Sequence, residues 1–219
     1  MASRLLSDVL GTTVVGPGGE RVGRVADLAA SLAEANPVVT HVVVRGRWHP
    51  WSAVEAFDSE LQLCDTTGVE PHRALLLGRH VLDSQVVDLD GKRVRRVGDV
   101  ELGEDNGRLR LMAVDVGTGA LVRRLGLRAL ALRLGSRPVD WQRLHVVARP
   151  AHALQLAAPA AAVHRLDEDE LATLVEQLPP AHGEEVIASS RRRLRVPARR
   201  RTRRRRRFPF RLIRRHAAP

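Results

Sequence analysis

The sequence predicts a mainly β protein: two tandem small β-barrels, a short C-terminal helical segment and a disordered arginine-rich tail. First, VVGPGGERVGRVADL from Val14 aligns without a gap with VVDLDGKRVRRVGDV from Val86, at an offset of 72. Second, both copies contain short alternating or β-branched runs separated by turn residues, which is typical of small closed sheets. Third, after residue 163 the apolar residues change from strand spacing to helical spacing.

The internal repeat predicts two domains, at residues 1–70 and 74–150, because each copy needs a hydrophobic core. In the first copy, Thr12–Val15 and Arg21–Leu28 flank a glycine-rich turn and form a predicted hairpin. In the second copy the same turn contains Asp90-Gly91, a strong hairpin pattern. Asp88 and Asp90 stand at this turn, but the further ligands of a calcium loop are missing, so we interpret the segment as a turn.

The remaining predicted strands of the barrels are short and apolar. They are Val38–Val44, Leu61–Cys64, Leu109–Val116 and His145–Val147. Cys64 is the only cysteine, which excludes an intramolecular disulfide and fits a reducing compartment. Because it lies in an alternating strand, we expect Cys64 to be a small buried hydrophobe.

The second copy carries an insertion. Trp51 and Trp141 recur at matching places and are expected to pack in the core, but they align at an offset of 90 rather than 72. Eighteen residues are therefore added, near 117–138, and they predict a short amphipathic helix laid on the barrel. The residues of its apolar face are Leu121, Leu125, Ala129 and Leu132.

Two helices are predicted after the barrels, within residues 163–190. Residues 150–162 contain two prolines and are expected to be a linker or the exit from the second barrel. Apolar residues at positions 171, 174, 175 and 178 then follow the spacing of an amphipathic helix. Pro179-Pro180 ends this helix and can begin a second one.

The charge distribution separates a mildly acidic body from a basic tail. The chain has 36 lysines and arginines, 25 aspartates and glutamates, and a formal net charge of +11. Residues 191–219 contain 15 of the arginines and no acidic residue, so residues 1–190 carry a formal charge of −4. Such a dense like-charge block buries too little apolar surface to fold, and we predict that it is disordered.

The sequence lacks the patterns of membrane spans, secretion signals and common enzymes. No stretch reaches the ~18 uncharged apolar residues of a transmembrane helix, and the N-terminus lacks the long apolar core of a signal peptide. We therefore expect a cytoplasmic location. The histidines form no zinc motif, and no nucleophile elbow is present. The glycine loop at 115–119 is better interpreted as a turn than as a phosphate site, so no enzymatic activity is expected.

Two parts of the chain resemble known families. The segments VVVRGRWHPWSAVEAF and LLGRHVLDSQVVDLDGKRVRRVGDVEL, with VDWQRL after the second, resemble the PRC-barrel domain. That small β-barrel occurs in the photosynthetic reaction-centre H subunit and in the ribosome-maturation factor RimM. The segment HRLDEDELATLVEQLPPAHGEEVI resembles the start of the intracellular N domain of MgtE magnesium transporters. Tandem PRC barrels, this N domain and CBS domains occur together in actinobacterial proteins.

The resemblance implies a regulatory or adaptor protein, with a CBS-type or transporter domain as its protein partner. It also implies a response to magnesium, since intracellular carboxylates sense this ion in MgtE transporters; magnesium is the only cofactor that we expect. The residues assigned to this magnesium surface are Asp167, Glu168, Asp169, Glu170 and Glu176. Charges that simply complement the start of a helix are the alternative interpretation.

Two interpretations of the tail stay open. The body uses 20 arginines to one lysine, which indicates a GC-rich gene, and the tail starts where the helical pattern should continue. We favour a frameshift product for these reasons. A genuine tail would bind nucleic acid or an anionic membrane, and it makes an RNA- or ribosome-associated protein the alternative function. The arginines concerned are Arg199, Arg200, Arg201, Arg203, Arg204, Arg205, Arg206 and Arg207.

Overall fold

The two copies of the repeat fold into one continuous β structure. The computed structural model describes residues 3–70, 72–124 and 134–194. Strands provide most of the regular structure, so the mainly β class predicted from the sequence is confirmed. Residues 195–219 of the basic tail, with all the candidate arginines between 199 and 207, lie outside the described residues. Its first four residues, 191–194, are helical and not disordered as predicted.

The first copy starts with a short strand and a helical turn and continues as a series of strands. In chain order its elements are β1 (Ser3–Leu5), α1 (Leu6–Val9), β2 (Thr13–Val15), β3 (Arg21–Ser31), β4 (Val38–Val44), β5 (Arg47–Pro50), a 3₁₀ turn (Trp51–Ala53), β6 (Val54–Phe57) and β7 (Leu61–Leu63).

The second copy repeats this order with a helix inserted before its last strands. Its elements are β8 (Leu75–Leu76), a π-helical turn (Leu77–Val81), β9 (Gln85–Asp88), β10 (Arg93–Arg96), β11 (Asp99–Asp105), β12 (Arg108–Asp115), α2 (Thr118–Arg124), β13 (Pro138–Asp140), a 3₁₀ turn (Trp141–Arg143) and β14 (Leu144–Val146). β2 and β9 begin 72 residues apart, and the two 3₁₀ turns begin 90 apart, as the repeat and its insertion predict.

Both copies contribute to one eleven-stranded sheet. Its order is β1-β11-β12-β4-β3-β2-β7-β6, while β13, β5 and β8 pair with β12, β4 and β3. β10, β9 and β14 form a separate three-stranded sheet. Where β12 meets β4, Arg110 lies opposite Val38 in antiparallel register, and these two residues are themselves 72 apart. Antiparallel pairing of a residue with its own equivalent places a local two-fold axis at this point of the sheet.

The leading segments of the two copies are exchanged. β1, which precedes the first hairpin, pairs with β11 of the second copy, with Arg4 opposite Leu102. β8 occupies the same place before the second hairpin and pairs with β3 of the first copy, with Leu75 opposite Ala30. Backbone hydrogen bonds therefore cross the predicted boundary at residues 70–74 in both directions, and the sheet joins the two units.

The main hydrophobic core combines the two copies. It contains buried residues from both, including Leu6, Val42, Leu111 and Leu144. Trp141 is buried in it as predicted, with 4% of its surface exposed. Trp51 is half-buried and packs against the same core. The repeated tryptophans therefore have a packing role.

Three helices follow the second copy. They are α3 (Ala151–Ala157), α4 (Glu168–Glu176) and α5 (Pro180–Leu194), with a 3₁₀ turn at Ala162–Arg165. The two predicted helices are confirmed, and the second begins at Pro180. The linker prediction for residues 150–162 is wrong: this alanine-rich segment contains α3, which is held in place by its buried His152 and Gln155.

Two further local predictions have different outcomes. Cys64 is exposed, so its prediction as a buried residue is wrong. The alternation in β7 buries Leu61 and Leu63 and turns the next residue outward. The predicted turn before the insertion is confirmed, because the buried Asp115 carboxylate accepts hydrogen bonds from Gly117 N–H and Arg137 N–H. α2 begins the predicted insertion helix, whose residues 125–133 lie outside the described part of the chain.

The described helices include none that combines the length and the apolar character needed to cross a membrane.

Candidate functional site

The aspartate shared by the two repeat motifs connects each copy to the other. Asp99, with no exposed surface, accepts hydrogen bonds from Ser7 N–H at 3.1 Å and Ser7 Oγ–H at 2.5 Å. Asp27 is its equivalent in the first copy and accepts from Gly78 N–H at 2.6 Å and Arg79 N–H at 2.9 Å. Each carboxylate thus satisfies free N–H groups at the start of the other copy's leading helical turn.

The environments of these two carboxylates differ in detail. Burial raises the pKa of Asp27, and hydrogen bonds from Gly78, Arg79 and Leu28 partly offset that effect. Asp99 has a cation nearby: Arg123 of the insertion helix places its Nη2 atom 3.6 Å from Asp115 Oδ2 and 4.0 Å from Asp99 Oδ2. The insertion therefore supplies a cation beside two buried carboxylates, and the repeated aspartates have a structural function.

A chain of polar side chains, of which His145 and His152 are buried, joins the second copy to the C-terminal helices. His145 of β14 has its Nε2 atom 2.9 Å from Nδ1 of His152 on α3. Nε2 of His152 lies 3.2 Å from a carboxylate oxygen of Glu185 on α5. His182, also on α5, stacks on the His152 ring with 4.3 Å between centroids, and Arg149 forms an ion pair with Glu185. We call these five residues the histidine chain.

The two buried histidines of the histidine chain favour neutral imidazoles. Burial, together with the neighbouring His152, His182 and His164, lowers the pKa of His145 to about 3. Burial also lowers the pKa of His152, with His182 and Arg149 acting in the same direction and Glu185 opposing them. Two histidines in hydrogen-bond contact cannot both be protonated at low cost, so this junction is sensitive to protonation.

A buried hydrogen bond and apolar packing reinforce this junction between the second copy and the C-terminal helices. Gln155 of α3 accepts a hydrogen bond from Val146 N–H at 2.7 Å, so its amide takes the place of a neighbouring strand beside β14. A second hydrophobic cluster fixes α4 and α5 to the same copy. Its buried members are Val87, Val147, Val163, Leu174, Leu178 and Val186. The helices α3–α5, here called the helical segment, are therefore mounted on the second copy.

The predicted magnesium residues lie on α4 and do not converge. Asp167 is the N-cap: it accepts from Glu170 N–H at 2.8 Å, and Glu170 accepts from Asp167 N–H at 3.0 Å. Glu168 and Asp169 are exposed in the first turn, and Glu176 lies six or more residues further along the helix, roughly 9 Å or more away. The structure thus brings together Asp167 and Glu170 and separates Glu176 from them.

This donor set does not fit a magnesium ion held by the chain alone. Magnesium requires octahedral oxygen ligands at about 2.1 Å, whereas Asp167 and Glu170 are engaged with backbone N–H groups. Across the described ranges, no group of three or more His, Cys, Asp and Glu side chains is placed to hold a metal. The reciprocal capping box explains the acidic pattern at the start of α4.

The capping interpretation predicts unequal effects of two neighbouring aspartates. Asp167→Ala is expected to lower the free energy of unfolding by about 1 kcal/mol, because it removes an N-cap acceptor. Asp169→Ala, which removes an exposed side chain from the same turn, is expected to cost less than half of that, about 0.5 kcal/mol or below. Urea unfolding with magnesium and with a chelator measures both; equal losses that appear only with magnesium would contradict the capping role.

No sequence motif indicates the histidine chain directly. His145 and His152 are seven residues apart on different elements, a strand and a helix, and they match no metal or catalytic motif. The one available signal was local: both histidines stand in apolar surroundings, LHVV and AHAL. Their contact with Glu185 depends on the return of α5 to the second copy, which spacing alone does not specify.

Comparison with protein-family models gives no match for this chain, and comparison with curated protein sequences gives none either. The resemblance to PRC barrels and to the MgtE N domain therefore stays a prediction.

Proposed function

We propose that this protein is a non-enzymatic, cytoplasmic regulatory adaptor of the PRC-barrel and MgtE-related type. In this proposal the interlocked β unit is a rigid support, and the helical segment is the element that meets a partner domain. The partner is a CBS-type or transporter domain, as in the proteins that the sequence resembles.

The observation that carries the proposal is the mounting of the helical segment. Its apolar residues face the second copy, where Leu174 and Val186 are almost fully buried. Its acidic residues Glu168, Asp169 and Glu176 are exposed on α4. A helix that is anchored on one side and charged on the other presents a fixed acidic face, which suits recognition of a basic partner surface.

Binding to a purified CBS-domain pair from an MgtE-type transporter tests this function. We expect saturable binding of the native full-length chain in surface plasmon resonance, and a loss of at least about tenfold for Glu168→Lys/Glu176→Lys, which reverses two charges of the acidic face. The matched control is Glu104→Lys, which reverses one exposed charge on β11 and should bind like the native chain.

Runs with magnesium and with a chelator show whether the predicted magnesium response accompanies docking. No binding by the native chain, or an equal loss in the Glu104 control, would contradict the proposal. If the chain instead bound RNA with an affinity that falls steeply with salt, the ribosome-associated alternative would replace it.

A further inference from the structure

A solvent-open cleft lies where the first copy, the segment between the copies and the helical segment meet. Its volume is about 430 Å³, within the range of small-molecule sites. The walls come from the end of β3 and the residues after it, from Thr40 and His41 in the middle of β4, from residues 72–75, and from the C-terminal end of α3. No element of the proposed docking face on α4 contributes to it, so this cleft is independent of the adaptor function.

The cleft is basic at its rim. Arg73 and His72 are exposed lining residues, and His41 of β4 lines the same space. None of the fourteen lining residues is acidic, although the body of the protein has a net negative charge. Within the described part of the chain, the Arg73 guanidinium has no carboxylate within ion-pair distance. An uncompensated guanidinium attracts an anion.

The rings at the rim are fixed in place. His72 packs edge-on against His41 with 4.8 Å between centroids, and it also lies 4.8 Å from the buried Trp48 ring. Thr40 Oγ1 donates to the Ala29 carbonyl and therefore accepts from His41 Nδ1 at 3.0 Å. This hydrogen bond places the proton of the neutral His41 ring on Nδ1 and leaves Nε2 as an acceptor, so His41 contributes a supported aromatic surface and not a donor to an anion.

The floor of the cleft is apolar. It is formed by side chains such as Leu32, Ala74, Leu75 and Leu154, of which Leu75 is fully buried. An inorganic ion would leave this surface in contact with water, whereas a planar apolar body would cover it. The complementary ligand therefore combines an anionic head group with a flat hydrophobic part.

We propose that this cleft binds a small organic anion with a planar apolar body, with Arg73 and His72 contacting its charged group and His41 lying against its planar body. The anion forms a charge-assisted hydrogen bond with Arg73, and the ring lies on the apolar floor against the histidines. Carboxylates and phosphates share this chemistry.

The test uses 1-naphthyl phosphate as the probe and 1-naphthol as its uncharged analogue, with the full-length protein. The ¹H–¹³C signals of the His41 and His72 rings report binding locally, so phosphate bound by the arginine-rich tail does not interfere. We expect saturable shifts of both rings with 1-naphthyl phosphate, and much weaker binding of both 1-naphthol and inorganic phosphate.

Arg73→Ala is expected to weaken 1-naphthyl phosphate binding by about tenfold and to leave 1-naphthol unchanged. The matched control is Arg21→Ala, which removes an exposed arginine of the first copy far from the cleft lining and should bind as the native protein does. Both residues are exposed, and unchanged backbone spectra confirm folding. Absence of saturable ring shifts, or equal effects of the two arginine substitutions, would overturn the proposal.

Discussion

Asp99→Ala is expected to lower the free energy of unfolding by about 3–5 kcal/mol, because each buried donor left without an acceptor costs about 1–3 kcal/mol. The donors are Ser7 N–H, Ser7 Oγ–H and Val100 N–H, all of which lose their acceptor. Asp27→Ala should have an effect of similar size, since it leaves the N–H groups of Gly78 and Arg79 without an acceptor. Urea unfolding followed by circular dichroism measures both.

The matched control is Asp90→Ala, which removes an exposed carboxylate that pairs with Arg143 at the surface. Surface ion pairs contribute about 0–1 kcal/mol, so this substitution should have a small effect. If Asp99→Ala cost no more than Asp90→Ala, the reciprocal caps would not hold the exchanged segments in place.

Acidification is expected to release α3 and α5 from the second copy. The pKa of His145 falls from an ordinary 6.5 to about 3 in the folded protein, so undocking lets this histidine take up a proton. The docked state is therefore fully stable above pH 6.5 and loses stability as the pH falls from 6.5 toward 3. Between pH 7 and pH 5 the loss from His145 is about 2 kcal/mol, at about 1.4 kcal/mol per pH unit.

Burial of His145 sets the sign of the effect, and the groups that face the two histidines add to it or oppose it. His152 has a lowered pKa and adds to the loss, Arg149 and His182 oppose protonation of the docked state, and Glu185 favours it. Hydrogen exchange of the α3 and α5 amides, converted to opening free energies and compared with β3 amides, measures the release.

A double variant separates this junction from the other buried histidines. His145→Leu/His152→Leu replaces both hydrogen-bond partners with apolar groups and should remove the pH dependence of α3 and α5 protection. The control is His49→Leu, which removes a buried histidine of the first copy and should leave that local dependence intact. An unchanged dependence in the double variant would show that other groups control the junction.

The local parts of this fold were predictable because local patterns encode them. The offset of 72 and the recurrence of Trp51 as Trp141 correctly placed equivalent elements in both copies. Leucine spacing and Pro179-Pro180 placed α4 and α5. In each case a few neighbouring residues determine the element, through alternation, helical periodicity or the missing N–H of proline.

The exchange of leading segments was not predictable from the repeat. β1 and β8 each precede the first strand of a hairpin, so the repeat is compatible with pairing within a copy and with pairing across copies. The arrangement is decided by long-range contacts, such as Asp99 with Ser7, that join residues 92 apart in the chain. The histidine chain was not predicted either. Its contacts are long-range as well, and the segment that forms α3 was expected to be a linker.

The central claim is that the two copies form one interlocked unit, and fluorine NMR of the 5-fluorotryptophan-labelled full-length chain tests it most directly. Trp48 and Trp51 report on the first copy and Trp141 on the second, without any substitution. Along a urea titration, the interlocked structure predicts that all three native signals disappear at one midpoint with one slope. Loss of the Trp141 signal at a urea concentration at which the Trp48 and Trp51 signals persist would show two independent domains and would contradict the claim.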